Sequence, residues 1–175
     1  MSAKKDLEAR FDRACDLLLG RLAADEALSL EYSAEDSVFL RFNRGLVRQI
    51  GAVLNAQASF KYYRGGRTLF SAVNLTGSAE EDEARLAAAL DHVRVEAALL
   101  PEDPYQTPPR AEGTSREEFP GNLPDPSRLV RDILEPAGLL TSGGAEFVGL
   151  HAQGRVCRGS AASSGARHWF STQTF

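Results

Sequence analysis

Arginine side chains are concentrated in a segment of this sequence that has no acidic residue. Between Ser37 and Ala79 there is no Asp or Glu. The cations of this segment are Arg41, Arg44, Arg48, Lys61, Arg64 and Arg67. Because guanidinium groups bind carboxylates and phosphates in a bidentate manner, the segment predicts a local cationic surface. Such a surface suits an anion, the carboxyl terminus of a peptide, or nucleic acid.

The solvent-facing side of an ordinary sheet would explain the same cations. The aliphatic stems of Arg and Lys cover apolar surface while their charged ends stay in water. Aromatic residues such as Phe39 and Tyr63 interleave with the cations, as they do on surfaces that stack bases. The net charge of −4 argues against a general affinity for nucleic acid. Both interpretations stay open, and the residues that would contact a substrate or a partner are Arg41, Asn43, Arg44, Arg48, Arg64 and Arg67.

Metal binding and covalent catalysis have no comparable pattern. The histidines are far apart, and the two cysteines lack the spacing of a zinc knuckle; these residues are His92, His151, His168, Cys15 and Cys157. The serines near residue 163 have no identifiable base or orienting acid. We therefore predict no catalytic residue, no metal ligand and no cofactor in this chain.

The composition indicates a globular protein of a reducing compartment. Hydrophobic residues make up 43 % of the chain and charged residues 25 %. Two cysteines do not resemble a secreted disulfide framework. Acids at Asp6, Glu8 and Asp12 interrupt the region where a signal peptide would be apolar, and no apolar stretch is long enough to span a membrane. We expect a cytoplasmic protein with no membrane-spanning segment.

Alternating apolar residues predict about four strands in the first part of the chain. Residues 28–32 and 38–42 are expected to form a hairpin that turns at Ser33 to Asp36. Residues 46–63 and 67–75 are expected to form two more strands. Gly65 and Gly66 between them can adopt the positive φ angles of a tight turn.

Two amphipathic helices are predicted to cover one face of these strands. Apolar residues at helical spacing place the first helix over residues 3–24 and the second over residues 79–100. Ser78 and Glu81 form a capping-box pattern at the start of the second helix. We assign residues 1–104 to one α+β domain.

The rest of the chain is predicted to contain a linker and further short elements. Residues 105–125 are rich in proline and are expected to be an extended linker. Asp125 and Pro126 begin a short helix, and strand signals follow, with a turn expected at Gln153 and Gly154. Because the chain stops at Phe175 in a strand-like segment, we expect residues 126–175 to be the start of a truncated second domain.

The order of these elements resembles the TldD/PmbA family, once called modulators of DNA gyrase. The resemblance is carried in sequence order by "LRFNRGLVRQIG", "RGGR", "SAVNLTGS" and "LLPEDPY". In that family an arginine and an Asn-Gly-type turn precede a short I-x-Q strand. The counterparts here are Arg41, the turn from Asn43 to Gly45, and the strand from Val47 to Gln49, with Arg44 inserted in the turn. Ser163 to Gly165 corresponds to a later Asn-Ser-x-Gly turn of the family.

The resemblance implies a cytoplasmic dimer of longer chains. TldD-type subunits of this family are zinc metallopeptidases that act on unfolded peptides inside a shared cavity. Their zinc ligands come from an HExxxH motif and a later cysteine, which lie beyond the matching region, and no HExxxH occurs here. Any zinc would therefore be bound by other parts of the full-length protein or by its partner subunit. The resemblance also fits a PmbA-type paralogue that binds no metal.

We therefore expect an α+β fold in which a mainly antiparallel sheet of about four strands packs against two helices, followed by a short helix and further β-hairpin elements. The expected function is that of the non-catalytic amino-terminal part of a TldD/PmbA-like peptidase or its metal-free paralogue. That part would contribute to a homo- or hetero-dimer and to the cavity for a peptide substrate. The alternative is a small anion- or nucleic-acid-binding module that uses residues 37–79.

Overall fold

The computed structural model describes residues 4–175, with side chains from Leu7 onward, and confirms the α+β class. The first position of the predicted helix over 3–24 lies outside the described residues. The elements are α1 (Lys4–Gly20), β1 (Glu26–Asn43), β2 (Leu46–Arg64), β3 (Arg67–Asn74), α2 (Ala79–Ala97), β4 (Thr114–Phe119), α3 (Leu129–Ser142), β5 (Val148–Ala162) and β6 (Arg167–Thr174). A short 3₁₀ helix, Pro126–Arg128, precedes α3. Within the described residues, none of the helices has the length and hydropathy needed to cross a membrane.

The described strands form one mostly antiparallel sheet in the order β3-β2-β1-β5-β6-β4. β2 and β3 pair antiparallel, with Arg64 opposite Arg67 and Lys61 opposite Phe70. The predicted Gly65-Gly66 turn is confirmed, since both glycines have positive φ. The sheet has six strands, because the strands after residue 105 join the sheet of the first strands.

Two predicted turns are interior parts of strands, so those predictions were wrong. Ser33 to Asp36 lies inside β1, where the alternation continues and Ala34 is buried. Gly154 lies inside β5, and a Cβ there would lie 2.4 Å from the carbonyl oxygen of Asp36. Glycine is thus required at this position by the close approach of another backbone rather than by a turn. Polar residues and glycines that commonly mark turns also occur within strands.

The predicted linker over residues 105–125 contains a strand. β4 joins the sheet beside β6, although all of its residues are exposed. Its sequence, TSREEF, has no apolar alternation, and therefore the pattern that identifies half-buried strands is missing. The domain boundaries at residues 104 and 125 stay a prediction.

The chain divides into two compact units, and each of them is assembled from separate segments. The first unit consists of Met1–Ala34, Asn55–Glu118 and Cys157–Phe170. The second unit consists of Glu35–Leu54, Phe119–Val156 and Ser171–Phe175. All of the strands except β3 therefore contribute residues to both units.

The core of the first unit is formed by apolar side chains of α1, α2 and one face of the sheet. Its members include Leu7, Phe11, Leu18, Leu28, Leu30, Phe60, Tyr62, Leu86, Leu90 and Val93. The rings of Phe11 and Trp169 are stacked with centroids 5.6 Å apart, and Tyr32 lies within 6.0 Å of both rings. The predicted packing of two amphipathic helices against the sheet is confirmed.

The start of α2 shows half of the predicted capping box, because the Glu81 carboxylate accepts a hydrogen bond from Arg85 and the N–H of Ser78 donates to Thr76 Oγ1. Ser78 is the N-cap residue, and its hydroxyl accepts a hydrogen bond from the backbone N–H of Glu81. Asp82, which is buried, accepts hydrogen bonds from the N–H groups of Thr76 and Gly77. These bonds satisfy backbone donors in the loop between β3 and α2.

A buried carboxylate at the first residue of β1 joins several parts of the first unit. Glu26 Oε1 accepts hydrogen bonds from the Tyr62 hydroxyl at 2.6 Å and from Arg94 Nε at 2.9 Å. Glu26 Oε2 accepts from Arg94 Nη2 at 2.7 Å and from the N–H of Ala23 at 2.9 Å. Arg94 also donates to the carbonyl of Arg21, just after α1. The Glu26 side chain is only 2 % exposed.

These contacts shift the pKa values of both acids in the network. The hydrogen bonds from Arg94 outweigh burial and lower the pKa of Glu26 from 4.5 to about 2. Burial, reinforced by the adjacent Glu26 carboxylate, raises the pKa of Tyr62 from 10.0 to about 12. The folded chain therefore holds Glu26 ionised and Tyr62 protonated at neutral pH.

Replacing Glu26 by Gln should reduce stability in a pH-dependent manner. A carboxyl group whose pKa is lower in the folded state stabilises that state fully above the unfolded pKa, and the contribution is lost as the pH falls through the folded pKa. The shift of Glu26 corresponds to a free energy on the order of 3 kcal/mol. In urea unfolding, Glu26→Gln should lose about this amount at pH 7, and its difference from wild type should shrink from about pH 4.5 down to pH 2.

The matched control is Glu112→Gln, because Glu112 is exposed. Its unfolding free energy should stay within about 0.5 kcal/mol of wild type at every pH. A deficit of Glu26→Gln that does not change with pH would contradict an electrostatic role for this carboxylate.

Gly159 allows α1 to approach β5, and an added methyl group should be destabilising there. A Cβ at this position would lie 2.6 Å from Cδ2 of the buried Phe11 ring. Overpacking of this kind costs about 1 to 3 kcal/mol, which is the loss expected for Gly159→Ala in urea unfolding. Gly138→Ala is the control, because a Cβ at Gly138 meets nothing within 4 Å and Ala favours a helix by up to about 1 kcal/mol. Equal effects of the two substitutions would contradict the steric explanation.

Candidate functional site

The first four of the predicted contact residues lie in or near the turn between β1 and β2. Arg44 has a φ of 52°, and Gly45 has a φ of 70°, as a two-residue hairpin turn requires. The N–H of Arg44 donates to the carbonyl of Phe147 at 2.8 Å, and Arg44 Nη2 lies 2.6 Å from Glu146 Oε1. The Arg44 side chain is therefore already paired with a carboxylate in its own unit.

Packing within the second unit holds this turn in place. The rings of Phe42 and Phe147 are stacked with centroids 5.2 Å apart. A Cβ at Gly45 would lie 3.6 Å from both Gly138 Cα and Thr141 Oγ1 of α3, so the turn lies directly against that helix. Asn43 is half-buried, and its side-chain oxygen has no hydrogen-bond partner among the described residues. Asn43 and Arg44 thus belong to a packed turn.

Arg41 and Arg48 differ from Arg44, because both are exposed and neither has an ion-pair partner among the described residues. They lie on neighbouring strands, each three residues from the turn. Exposed aliphatic side chains lie on the same part of β2; Leu46 is 65 % exposed and Ile50 is 59 % exposed. This end of the hairpin therefore combines two available guanidinium groups with apolar surface.

Part of β2 also lacks a strand neighbour on its outer side. β3 pairs with residues 57–64 of β2, and β1 is the other neighbour of β2 in the sheet. Residues 46–55 therefore present backbone N–H and C=O groups along an open edge within the described part of the chain. Such an edge can accept a further strand.

Arg64 and Arg67 lie in the first unit, at the turn between β2 and β3. Arg64 Nε donates to Asp25 Oδ2 at 2.9 Å, and Arg67 Nη2 lies 3.1 Å from Glu102 Oε1. Arg67 Nε also donates to the carbonyl of Leu100 at 2.8 Å. These two arginines and Arg94 line a cavity of about 330 Å³. The acid-free segment is thus neutralised here by carboxylates from other segments.

The structure therefore separates the predicted contact residues into two groups. Arg41, Asn43, Arg44 and Arg48 belong to the second unit, whereas Arg64 and Arg67 belong to the first. Of the arginines, Arg44, Arg64 and Arg67 have carboxylate partners. Arg41 and Arg48 are the members of the set with exposed and uncommitted charge.

A polar groove in the first unit was not identified from the sequence. It has a volume of about 550 Å³ and is lined by residues of β2, β1, β5, β6 and β4. Its side chains include Glu31, Ser33, Gln57, Ser59, Ser115, Glu117, Arg158, Ser160, His168 and Phe170. His168 Nδ1 lies 2.9 Å from Ser115 Oγ. These residues come from segments far apart in the chain, so no local motif marks the groove.

Metal ligation has no site in the part of the chain that the structure describes. There, no group of three or more His, Cys, Asp or Glu side chains is placed to hold a metal ion. Cys15 and Cys157 are both buried, and neither forms a disulfide in the described part of the chain. Burial raises the pKa of the Cys15 thiol from 9.0 to about 12.

No family model matches this sequence, and no curated protein matches it. Solved structures nevertheless share its fold. A candidate modulator of a DNA gyrase from Thermotoga maritima superposes with a TM-score of 0.57 at 12 % identity, over 95 % of this chain and 37 % of that protein. TldE from Thermococcus kodakarensis superposes with a TM-score of 0.57 at 11 % identity, over 97 % of this chain and 36 % of that protein.

A candidate modulator of DNA gyrase from Bacteroides thetaiotaomicron is also similar, with a TM-score of 0.52 at 17 % identity, over 97 % of this chain and 38 % of that protein. The chain spans little more than a third of the length of each of these proteins. At this level of identity the likeness concerns the fold. It confirms, for the fold, the resemblance to the TldD/PmbA family.

Proposed function

We propose that this chain belongs to the TldD/PmbA family and forms the non-catalytic amino-terminal part of a larger, dimeric, cytoplasmic protein that handles peptides. The proposal is supported by the fold, which follows the three solved structures over at least 95 % of the chain. It is also supported by the sequence segments that resemble the family in the same order. The role of the chain in this proposal is to contact a second TldD/PmbA-type subunit and to contribute to the cavity that admits a peptide.

The observation that carries this role is the open edge of β2 over residues 46–55. The edge has unpaired backbone groups, exposed Leu46, Ile50 and Leu54, and the two uncommitted guanidinium groups of Arg41 and Arg48. A partner subunit or an extended peptide can add a strand to such an edge through main-chain hydrogen bonds. Guanidinium groups beside the edge would then pair with carboxylates of the added strand.

Zinc chemistry is not assigned to the residues of this chain. The described residues contain no cluster that would ligate the metal, and the HExxxH motif of TldD-type subunits has no counterpart in the sequence. Any peptide cleavage by the full-length protein would depend on residues beyond the matched region or on the partner subunit.

The ion pairs of the structure give the nucleic-acid alternative less support than the sequence pattern does. Arg44, Arg64 and Arg67 are engaged with carboxylates, and only a phosphate that displaced those partners could use them. Affinity for duplex nucleic acid depends on the number of phosphates neutralised. The pairing of three of the arginines lowers that number.

Replacing both Arg41 and Arg48 by Ala in the full-length protein should weaken dimerisation or peptide binding at least about tenfold, which is roughly 1.4 kcal/mol. Stability should be nearly unchanged, because both side chains are exposed and unpaired. Sedimentation equilibrium measures the dimer dissociation constant, and fluorescence anisotropy of a labelled unfolded peptide measures peptide binding. The double variant Arg21→Ala/Arg110→Ala is the control, because it removes the same charge from two exposed positions elsewhere.

A second pair of variants tests the apolar part of the same edge. Ile50→Lys should weaken the same association, whereas Leu99→Lys should not, although Leu99 is 82 % exposed. If dimerisation and peptide binding are both unchanged in Arg41→Ala/Arg48→Ala and in Ile50→Lys, the proposed role of this edge is wrong.

A further inference from the structure

The groove of the first unit lies on the face of the sheet opposite to the helical core. Along β1, Leu30, Tyr32 and Ala34 are buried while Glu31 and Ser33 are exposed. Along β5, Gly159 packs against Phe11 of α1, so Arg158 and Ser160 point to the other face. The volume of the groove, about 550 Å³, is that of a small-molecule site.

Arg158 is the cation of this groove, and its charge is not neutralised by any described carboxylate within ion-pair distance. Its guanidinium donates to Ser33 Oγ at 3.3 Å and to the carbonyl of Cys157 at 2.9 Å, both of which are neutral acceptors. Other arginines of the same unit, such as Arg94, Arg116 and Arg167, have carboxylate partners. A guanidinium held by neutral acceptors keeps donors available for an anion.

Two carboxylates flank Arg158 in the same groove without pairing with it. Glu31 lies on β1, adjacent to β5, and Glu117 lies on β4, two strands away on the other side. Both are exposed, and neither has a hydrogen bond or an ion pair among the described residues. The groove therefore holds one available cation between two available anions.

This arrangement of charge selects the class of ligand. A phosphate or another polyanion would be repelled by two carboxylates, and a purely cationic ligand would leave Arg158 without a counterion. A ligand that carries both a carboxylate and an ammonium group satisfies both signs. Neighbouring strands are about 4.8 Å apart, so β5 lies about 5 Å from β1 and about 10 Å from β4. Two extended residues span about 7 Å, which falls between these two separations.

We propose that this groove binds a small zwitterion of dipeptide size. Arg158 binds the carboxylate of the ligand, and Glu31 or Glu117 binds its ammonium group. The hydroxyls of Ser59 and Ser160 line the same groove and can form hydrogen bonds to the ligand backbone. This site lies in the first unit and does not depend on the β2 edge of the second unit.

Calorimetric titration of this chain with the dipeptide Ala-Phe and two charge-deleted analogues tests the proposal. Ala-Phe should bind, whereas N-acetyl-Ala-Phe, which lacks the ammonium group, and Ala-Phe amide, which lacks the carboxylate, should each bind at least about tenfold more weakly. Arg158→Gln should lower the affinity for Ala-Phe at least about tenfold and leave that for Ala-Phe amide unchanged. At least one of the variants Glu31→Gln and Glu117→Gln should have a lower affinity for Ala-Phe and an unchanged affinity for N-acetyl-Ala-Phe.

Arg110→Gln is the control, because Arg110 is exposed and does not line the groove. It should bind Ala-Phe with wild-type affinity. The proposal is overturned if Ala-Phe binds no more tightly than about 10 mM, if the amide binds as well as the dipeptide, or if Arg158→Gln has no effect. None of these outcomes bears on dimerisation, so failure here is distinguishable from failure of the proposed function.

Discussion

Glu26 is buried at the first residue of β1, and a carboxylate in that position must have charged and hydrogen-bonded partners. Arg94 of α2 supplies the charge, Tyr62 of β2 supplies a hydroxyl, and the N–H of Ala23 supplies a backbone donor. Arg94 in turn donates to the carbonyl of Arg21 beyond the end of α1. The ends of α1, β1 and β2 and the last turn of α2 are thereby joined at one point. The hydrophobic interactions in the core of the first unit are non-directional, whereas the hydrogen bonds of the Glu26 network specify which elements meet.

The same demand for charge neutralisation explains the distribution of arginines. The cations of a segment without acids can form ion pairs only with carboxylates from elsewhere in the chain. Three of the six cations do so: Arg44 pairs with Glu146, Arg64 with Asp25 and Arg67 with Glu102. Exposed pairs of this kind add little stability individually, about 0 to 1 kcal/mol each. Their effect is to remove those side chains from the set available to a ligand. Arg41 and Arg48 on the hairpin and Arg158 in the groove keep their charge available, and these are the positions at which binding is proposed.

Much of the fold was predictable because local physical chemistry marks it. Helical spacing identified α1 and α2, the Ser78 cap identified the start of α2, and Gly65 with Gly66 identified the β2–β3 turn. The failures also have local causes. β4 has no apolar alternation and lies among prolines, and Ser33 to Asp36 and Gly154 have turn-like composition inside strands. In each case the strand is stabilised by pairing with a distant segment, and that pairing has no counterpart in local sequence.

The α+β class, the helical faces, the glycine turns and the acid-free cationic segment follow from the amino-acid order alone, since each is a pattern of residues that are near one another in the chain. Which of the arginines are available to a ligand depends on the three-dimensional fold. Arg44 and Glu146 are 102 residues apart, and Arg94 and Glu26 are 68 residues apart. The groove likewise brings Glu31, Glu117 and Arg158 together from three separate strands. Ion pairs and binding sites of this kind depend on distances through space, which the order of residues along the chain does not specify.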